Sequence, residues 1–316
     1  MFRRKNTGRT QTGKAQNGSR HQLAKRYSAH VRTLIIGCGY VGEALGQRLV
    51  ALGHEVTGVR RDSDGNERLA KRGIQPLNLD IIQPESFNSI TEVYENVVIA
   101  VSSSRGGREA YQQIFQTGIE NVAAWLNRTQ PRSVVFISST SVYRQTNGEW
   151  VDENTETKGN TASSSTLRAA EKQIASTNCC TTILRSSGIY GPGRGYLFQQ
   201  FMKGAAQIEG TGERYLNMVH RDDLAEAILH SFSGKGGMFN ITDNEPVSQL
   251  NFFKWLSEST GKPLPSFVPE PDPATRKRGL TNKRVSNQLF KEFHDFQYKY
   301  PTFRVGLANE LENQTA

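Results

Sequence analysis

"TLIIGCGYVG", residues Thr33–Gly42, decides how this chain is read. Val31–Ile36 is a short apolar run that stops at a glycine, the pattern of a strand buried on both faces. Tyr40–Leu52 follows with Val41, Leu45, Leu49 and Leu52 at helical spacing, and Gly53 closes it. Between the two stands Gly37-x-Gly39-x-x-Gly42. The first glycine of such a motif makes the tight turn. The second lets the backbone approach a pyrophosphate, and the third lets helix and strand pack closely. The free N–H groups and partial positive charge of a helix N-terminus suit phosphate. A motif in this setting predicts dinucleotide binding, with Gly37, Gly39, Tyr40, Val41 and Gly42 as contacts. A turn that serves packing alone is the plainer alternative.

The same alternation runs outward from the loop. Strands are expected over Glu55–Val59, Gln75–Leu79, Asn96–Val101, Ser133–Ser138 and Cys180–Leu184, and helices over Asn66–Arg72, Arg108–Arg128 and Thr166–Ser176. Runs such as "NVVIAV" and "SVVFIS" fit strands covered on both faces. The expected fold is α/β, a Rossmann-type doubly wound parallel sheet with a smaller C-terminal substrate-side domain. Past Arg185 the pattern loosens: "GIYGPGRG" reads as a loop, and helices are expected over Leu197–Ala206, Asp223–Phe232 and Gln249–Thr260. Met238–Ile241 reads as a strand returning to the sheet, so the expected domains interleave: 31–185 with 211–242 on the cofactor side, and 186–310 on the substrate side. The proline-rich "GKPLPSFVPEPDP" is expected to be extended.

The second strand ends "EVTGVRR". An acidic residue near this point commonly holds the ribose 2′-OH of NAD. Arg60 and Arg61 stand there instead, and a guanidinium suits a 2′-phosphate. NADP is therefore the expected cofactor. Asp62 leaves NAD open, and a solvated loop is the plainer reading of both arginines.

The net charge of +9 sits almost wholly in a tail. The first thirty residues hold eight lysines and arginines and no acid, which accounts for all but one of the nine charges. The near-neutral remainder gives no reason to invoke nucleic acid. With so little apolar surface, residues 1–30 are expected to be a disordered, solvated extension. A transit peptide, a phosphate-binding arm and a start site placed too early (the ordered pattern begins at Val31) are the alternatives. No apolar run approaches the ~20 residues of a membrane helix, and no apolar N-terminal stretch suggests a secretory signal. Cys38, Cys179 and Cys180 form no CxxC and no metal-ligating set is assigned; a reducing, cytoplasmic setting is expected.

In order along the chain stand the glycine loop, "LNLD" (77–80), "VVIAVS" (97–102), "FISSTSVY" (136–143), "LRSSGIYGPGR" (184–194) and "NMVHRDDLAEAI" (217–228). Together these resemble the extended short-chain dehydrogenase/reductases, the NAD(P)-dependent epimerase/dehydratase family, over about residues 31–300. "TNKRVSN" and "FHDFQYKYPTF" look like the atypical, YeeZ-like branch of it. The resemblance implies that Asp80 contacts adenine, that Ala100, Val101 and Ser102 line the ribose and nicotinamide side, and that Ser139 hydrogen-bonds a substrate and belongs to the catalytic set; the plainer readings are a loop cap for Asp80 and a strand-end residue bonded to backbone for Ser139. It also implies a small-molecule substrate, a nucleotide sugar or a carbonyl compound.

Chemistry in this family rests on Tyr-x-x-x-Lys, one helical turn apart, so that the lysine lowers the phenol's pKa and the phenol moves a proton as hydride moves. Here the matching stretch is "TASSSTLRAAEKQI" (161–174), which puts Ser163 in the tyrosine place and Leu167 in the lysine place. None of the ten tyrosines is followed four residues later by lysine. Tyr143 and Tyr190 are the candidate substitutes, or else wall residues. The expectation is an oxidoreductase or epimerase/dehydratase-like protein without the usual pair; the alternative is a noncatalytic NADP-binding sensor. Asp223 is read as capping its helix with Glu226, and no stretch specifies an oligomer.

Overall fold

The computed structural model describes residues 30–103, 106–157, 161–270 and 281–315. The basic tail therefore lies outside the described residues, except for His30. The first half of the chain runs β1 (Arg32–Ile36), α1 (Tyr40–Ala51), β2 (Glu55–Arg60), α2 (Asn66–Ala70), β3 (Gln75–Asn78) and β4 (Asn96–Ile99). Next come α3 (Gly107–Gln112), a π-helical turn (Gln113–Gly118), α4 (Ile119–Thr129), β5 (Ser133–Ser139), β6 (Glu149–Val151), α5 (Ala162–Ala175) and β7 (Thr181–Ser186).

The second half continues with β8 (Gly188–Tyr190), α6 (Tyr196–Met202), β9 (Ile208–Glu209), β10 (Tyr215–Leu216), β11 (Met218–His220), α7 (Arg221–Ser231) and β12 (Gly237–Ile241). It ends with β13 (Val247–Ser248), α8 (Gln249–Thr260), β14 (Phe267–Val268), β15 (Lys283–Val285), α9 (Gln288–His294) and α10 (Phe303–Thr315).

Seven of these strands form one parallel sheet in the order β12-β7-β5-β4-β1-β2-β3. The order reverses between β1 and β4, and the carboxyl ends of strands at such a switch point open a crevice for a ligand. The apolar stretches of β1, β4 and β5 are buried because helices cover both faces: Leu34, Ile36 and Val97 pack with Trp125 and Leu126 of α4, and Ile35 and Val98 with Leu45 of α1 and Ile228 of α7. A third core, built on Phe198, Phe201, Phe252, Phe253 and Phe303, belongs to the later elements. Among the described residues no helix is long and apolar enough to cross a membrane.

Three local readings need correction. α5 begins at Ala162, four residues before the expected Thr166, because the Thr161 hydroxyl accepts the Ser164 N–H and caps it. The loop "GIYGPGRG" contains β8, which pairs in parallel with β11. Asp223 does not cap α7: His220 does, its Nδ1 accepting the Asp222 N–H at 3.1 Å. The Asp223 carboxylate instead accepts the backbone N–H groups of Lys299 (2.8 Å) and Tyr300 (2.9 Å) and ties the C-terminal segment to α7.

Candidate functional site

At the switch point the glycine loop lies against the end of β4. Gly37 has φ +89°, and a Cβ there would stand 2.7 Å from the Ala100 carbonyl carbon and oxygen and 2.8 Å from the Val101 nitrogen. Gly37 and Cys38 both donate to the Val59 carbonyl (3.2 and 2.8 Å), which pins the loop to β2 as well. A Cβ on Gly42 would meet Ile35 Cγ2 at 2.9 Å, so that glycine serves helix–strand packing. On Gly39 it would meet nothing within 4 Å: backbone faces open space there, as a ligand passing close over the chain requires. Of the residues expected at the far side, Ala100 and Val101 are half-buried beside the loop and Ser102 is exposed.

Beyond the loop, Arg60 ends β2. Its guanidinium donates to the Cys38 carbonyl at 3.4 Å and lies 3.7 Å from Glu43 and 3.9 Å from Asp62. Glu43 follows the glycine motif directly and is nearly buried; it also binds Arg68 at two contacts (2.5 and 3.1 Å) and Arg72 at 2.5 Å. Three guanidiniums thus converge on one carboxylate. They border a cleft of about 510 Å³ whose other walls include Gly39, Tyr40, Pro192 and Arg221. The Tyr40 ring in this wall lies against two cations, with Arg194 and Arg221 4.8 and 5.0 Å from its centre. Burial pushes the Tyr40 phenol up to about 12. Arg61, by contrast, is exposed and has no ion-pair partner among the described residues. Asp80 uses Oδ1 to accept the Ile82 N–H (3.2 Å), a loop-capping bond.

On the other flank Ser139 ends β5, half-buried, its hydroxyl accepting the Ser141 N–H at 3.1 Å. Ser163 is half-buried in the first turn of α5, and Leu167, one turn on, is 2% exposed and part of the main core. Neither substitute tyrosine is available. Tyr143 is fully buried, donates to Asn240 Oδ1 (2.9 Å) and accepts from Arg185 Nη1 (3.0 Å). Arg185 in turn grips the buried Glu171 with two bonds of 3.0 and 2.7 Å, and Glu171 also accepts from Ser138. Tyr190 is 3% exposed, packs edge-on against His220 and donates to the Thr302 carbonyl at 3.4 Å. Burial pushes both phenols up, away from the range useful to a proton donor near neutrality.

The profile of the NAD-dependent epimerase/dehydratase family matches residues 33–242. The chain belongs to this family. Protein YeeZ of Escherichia coli K12 is 29% identical over 282 residues, which are 85% of this chain and 96% of YeeZ. A solved structure from Methylobacillus flagellatus, assigned to the NAD-dependent epimerase/dehydratases, is 29% identical with a TM-score of 0.74 and covers 91% of this chain and 100% of that one. The UDP-glucuronic acid 4-epimerase of Bacillus cereus, solved with UDP-glucuronic acid and NAD, shares the fold at 17% identity: TM-score 0.72, 90% of this chain and 100% of that one. Glu43, Arg68 and Arg72 line the cleft beside the glycine loop and are absent from the sequence reading. The i, i+4 spacing of Arg68 and Arg72, one short helix beyond Arg60, was the available signal.

Proposed function

We propose that the protein binds NADP(H) across the glycine loop, the 2′-phosphate lying among Arg60, Arg68 and Arg72, and acts on a small-molecule substrate as an oxidoreductase or epimerase without the tyrosine–lysine relay. The arginine cluster carries this reading. Three cations share the nearly buried Glu43, and only Arg60 also has Asp62 nearby, so the end of β2 keeps a net positive charge that a phosphate would balance and a bare ribose hydroxyl would not. Gly37, Gly39, Tyr40, Val41 and Gly42 would cradle the pyrophosphate. Asp80 would face the adenine, and Ala100, Val101 and Ser102 would line the nicotinamide side. Residues 31–185 with 211–242 would form the cofactor side, and 186–310 the substrate side. Asp62, beside Arg60, remains the group through which NAD would be held. The ligands of the Bacillus cereus enzyme make nucleotide sugars the first substrates to try, ahead of simple carbonyl compounds.

Calorimetric titration with NADPH and NADH tests the cofactor assignment. Arg60→Asp is expected to weaken NADPH by roughly one to two orders of magnitude, the worth of a charge-assisted hydrogen bond of ~1.5–3 kcal/mol, and to shift preference toward NADH. Unchanged NADPH affinity in that variant refutes it.

A second reading, a noncatalytic NADP-binding module, is favoured by one observation: Tyr143 and Tyr190 are both built into the interior, and Leu167 offers no charge. Loss of a positioned general acid forfeits ~10²–10⁴-fold in rate. Tight NADPH binding with no turnover across nucleotide sugars and carbonyls supports the module. Turnover that Ser139→Ala abolishes supports the enzyme.

A further inference from the structure

The three arginines at the end of β2 do not hold Glu43 alike. Arg68 gives the carboxylate two hydrogen bonds, Nη2 to Oε1 at 2.5 Å and Nε to Oε2 at 3.1 Å, and Arg72 adds one from Nη1 to Oε2 at 2.5 Å. Arg60 stands 3.7 Å from Oε1, too far for a bond. Its Nη1 reaches the Cys38 carbonyl only at 3.4 Å, and its Nε is buried with no partner among the described residues. An ionised carboxylate has about four acceptor positions. Among the described residues Oε2 takes two bonds and Oε1 takes one, so the open position is on Oε1, the oxygen nearest Arg60.

One open acceptor beside one under-used donor is the complement of a hydroxyl, which both donates and accepts. A phosphate only accepts, and it is charged. Arg60 attracts it, and the carboxylate next to Arg60 repels it. Glu43 also stands where chain order does not place an acid. It lies in the first turn of α1, directly after the third glycine, whereas the acid of an NAD site commonly follows the glycines by about 20 residues. Asp62 is the acid at that distance, but its side chain is 53% exposed and 3.9 Å from Arg60, while the Glu43 side chain is 10% exposed. A solvated charge is screened and a nearly buried one is screened much less. The cluster needs that charge in the free protein. A Cβ on Gly65 would stand 3.2 Å from Arg68 Nη2 and 3.5 Å from Arg60 Cζ, so two like-charged guanidiniums lie against one glycine.

We propose that Glu43 sets the preference between the two nicotinamide cofactors: its Oε1 accepts the adenosine ribose 2′-hydroxyl of NAD(H), and the same carboxylate holds down the affinity of Arg60, Arg68 and Arg72 for the 2′-phosphate of NADP(H). The net positive charge of the cluster favours the phosphate, and Glu43 opposes it. This rests on the proposed function for placing the adenosine ribose at the end of β2.

Calorimetric titration of the full chain with NADPH and with NADH tests this in wild type, Glu43→Gln, Asp62→Asn and Arg60→Asp. The quantity read is the ratio of the NADH Kd to the NADPH Kd. Glu43→Gln keeps the shape and removes the charge, so it should tighten NADPH, weaken NADH and raise the ratio at least tenfold. A smaller rise overturns the proposal, because a Glu43 that only fixes the arginines in place would weaken both cofactors together and leave the ratio unmoved. Asp62→Asn should change the ratio less than threefold. A larger change there than in Glu43→Gln also overturns the proposal and gives the ribose to Asp62. Should Glu43→Gln not fold, Glu43→Asp decides: it keeps the charge but withdraws it by one methylene, and a rise of less than threefold in the ratio overturns the proposal. Failure of the NADP reading shows in a different variant. Arg60→Asp would then leave NADPH affinity unchanged, while weaker NADH binding by Glu43→Gln would still support the ribose contact.

Discussion

If Ser163 and Leu167 occupy the places of the family's tyrosine and lysine, as proposed, the burial of Leu167 argues against restoring that pair with two substitutions. The Leu167 side chain belongs to the main core, 2% exposed, so a lysine there would leave an ammonium in hydrocarbon. Leu167→Lys is expected to cost on the order of 3–5 kcal/mol, read as a fall in the urea midpoint, and Ser163→Tyr/Leu167→Lys should gain no activity. The buried pair Glu171–Arg185 sets a comparable penalty. With side chains 4% and 5% exposed, removal of one partner strands a charge, and Arg185→Ala should lose about 3–5 kcal/mol and leave the Tyr143 hydroxyl with Asn240 as its partner. Sequence spacing could locate Ser163 and Leu167 but could not show which way they face. It also could not join Tyr143 to Asn240, because 97 positions separate them and only the folded sheet brings them within 2.9 Å.

At the scale of elements, α7 depends on a neutral imidazole. His220 accepts the Asp222 N–H on Nδ1 and stacks at 3.7 Å on the Tyr300 ring. Burial pushes its pKa down to about 4. The unfolded chain binds a proton on this histidine below about 6.5 and the folded chain does not, so stability rises with pH between about 4 and 6.5 and is lost as pH falls through that window. His220→Asn keeps a good cap acceptor and should flatten that part of the pH profile, which urea titrations from pH 4 to 7 would register. The sequence reading gave the α7 cap to Asp223 because the Asp–Glu spacing imitates a capping box. The true partner of Asp223, the backbone at 299–300, lies 76 and 77 positions away. Likewise α5 was begun too late because "TASSS" reads as polar loop until Thr161 is seen to cap it. Strands of the sheet were legible because both faces are covered and their apolar runs are unbroken. The two-residue strands β9, β10, β13 and β14 carry no such pattern, and their pairing is decided by tertiary packing.

Over the whole molecule, the edge strand β12 comes late in the chain, after Phe198 and Phe201 of the small aromatic core and before Phe252, Phe253 and Phe303. Its five residues pair with β7 from Gly237↔Thr182 to Ile241↔Ser186, and Asn240 there completes the Tyr143–Arg185–Glu171 network. A fragment that stops at residue 235 keeps the glycine loop, the arginine cluster and six of the strands, yet it leaves the β7 edge bare and Tyr143 without its acceptor. It should lose cooperative unfolding and aggregate, whereas the full chain should unfold in one transition that saturating NADPH moves upward, by about 2.7 kcal/mol at a hundredfold excess over Kd.

The late arrival of β12 also sets a clock. At ~5–20 residues per second on the ribosome, several seconds pass between the emergence of Ser186 and that of Ile241. During that interval the nascent sheet presents an open, hydrophobic edge to every other chain nearby. Yield in the cell is then governed by how well chaperones shield β7 until its partner leaves the exit tunnel. Slower translation of codons 187–236 would lengthen the exposure and lower the soluble fraction.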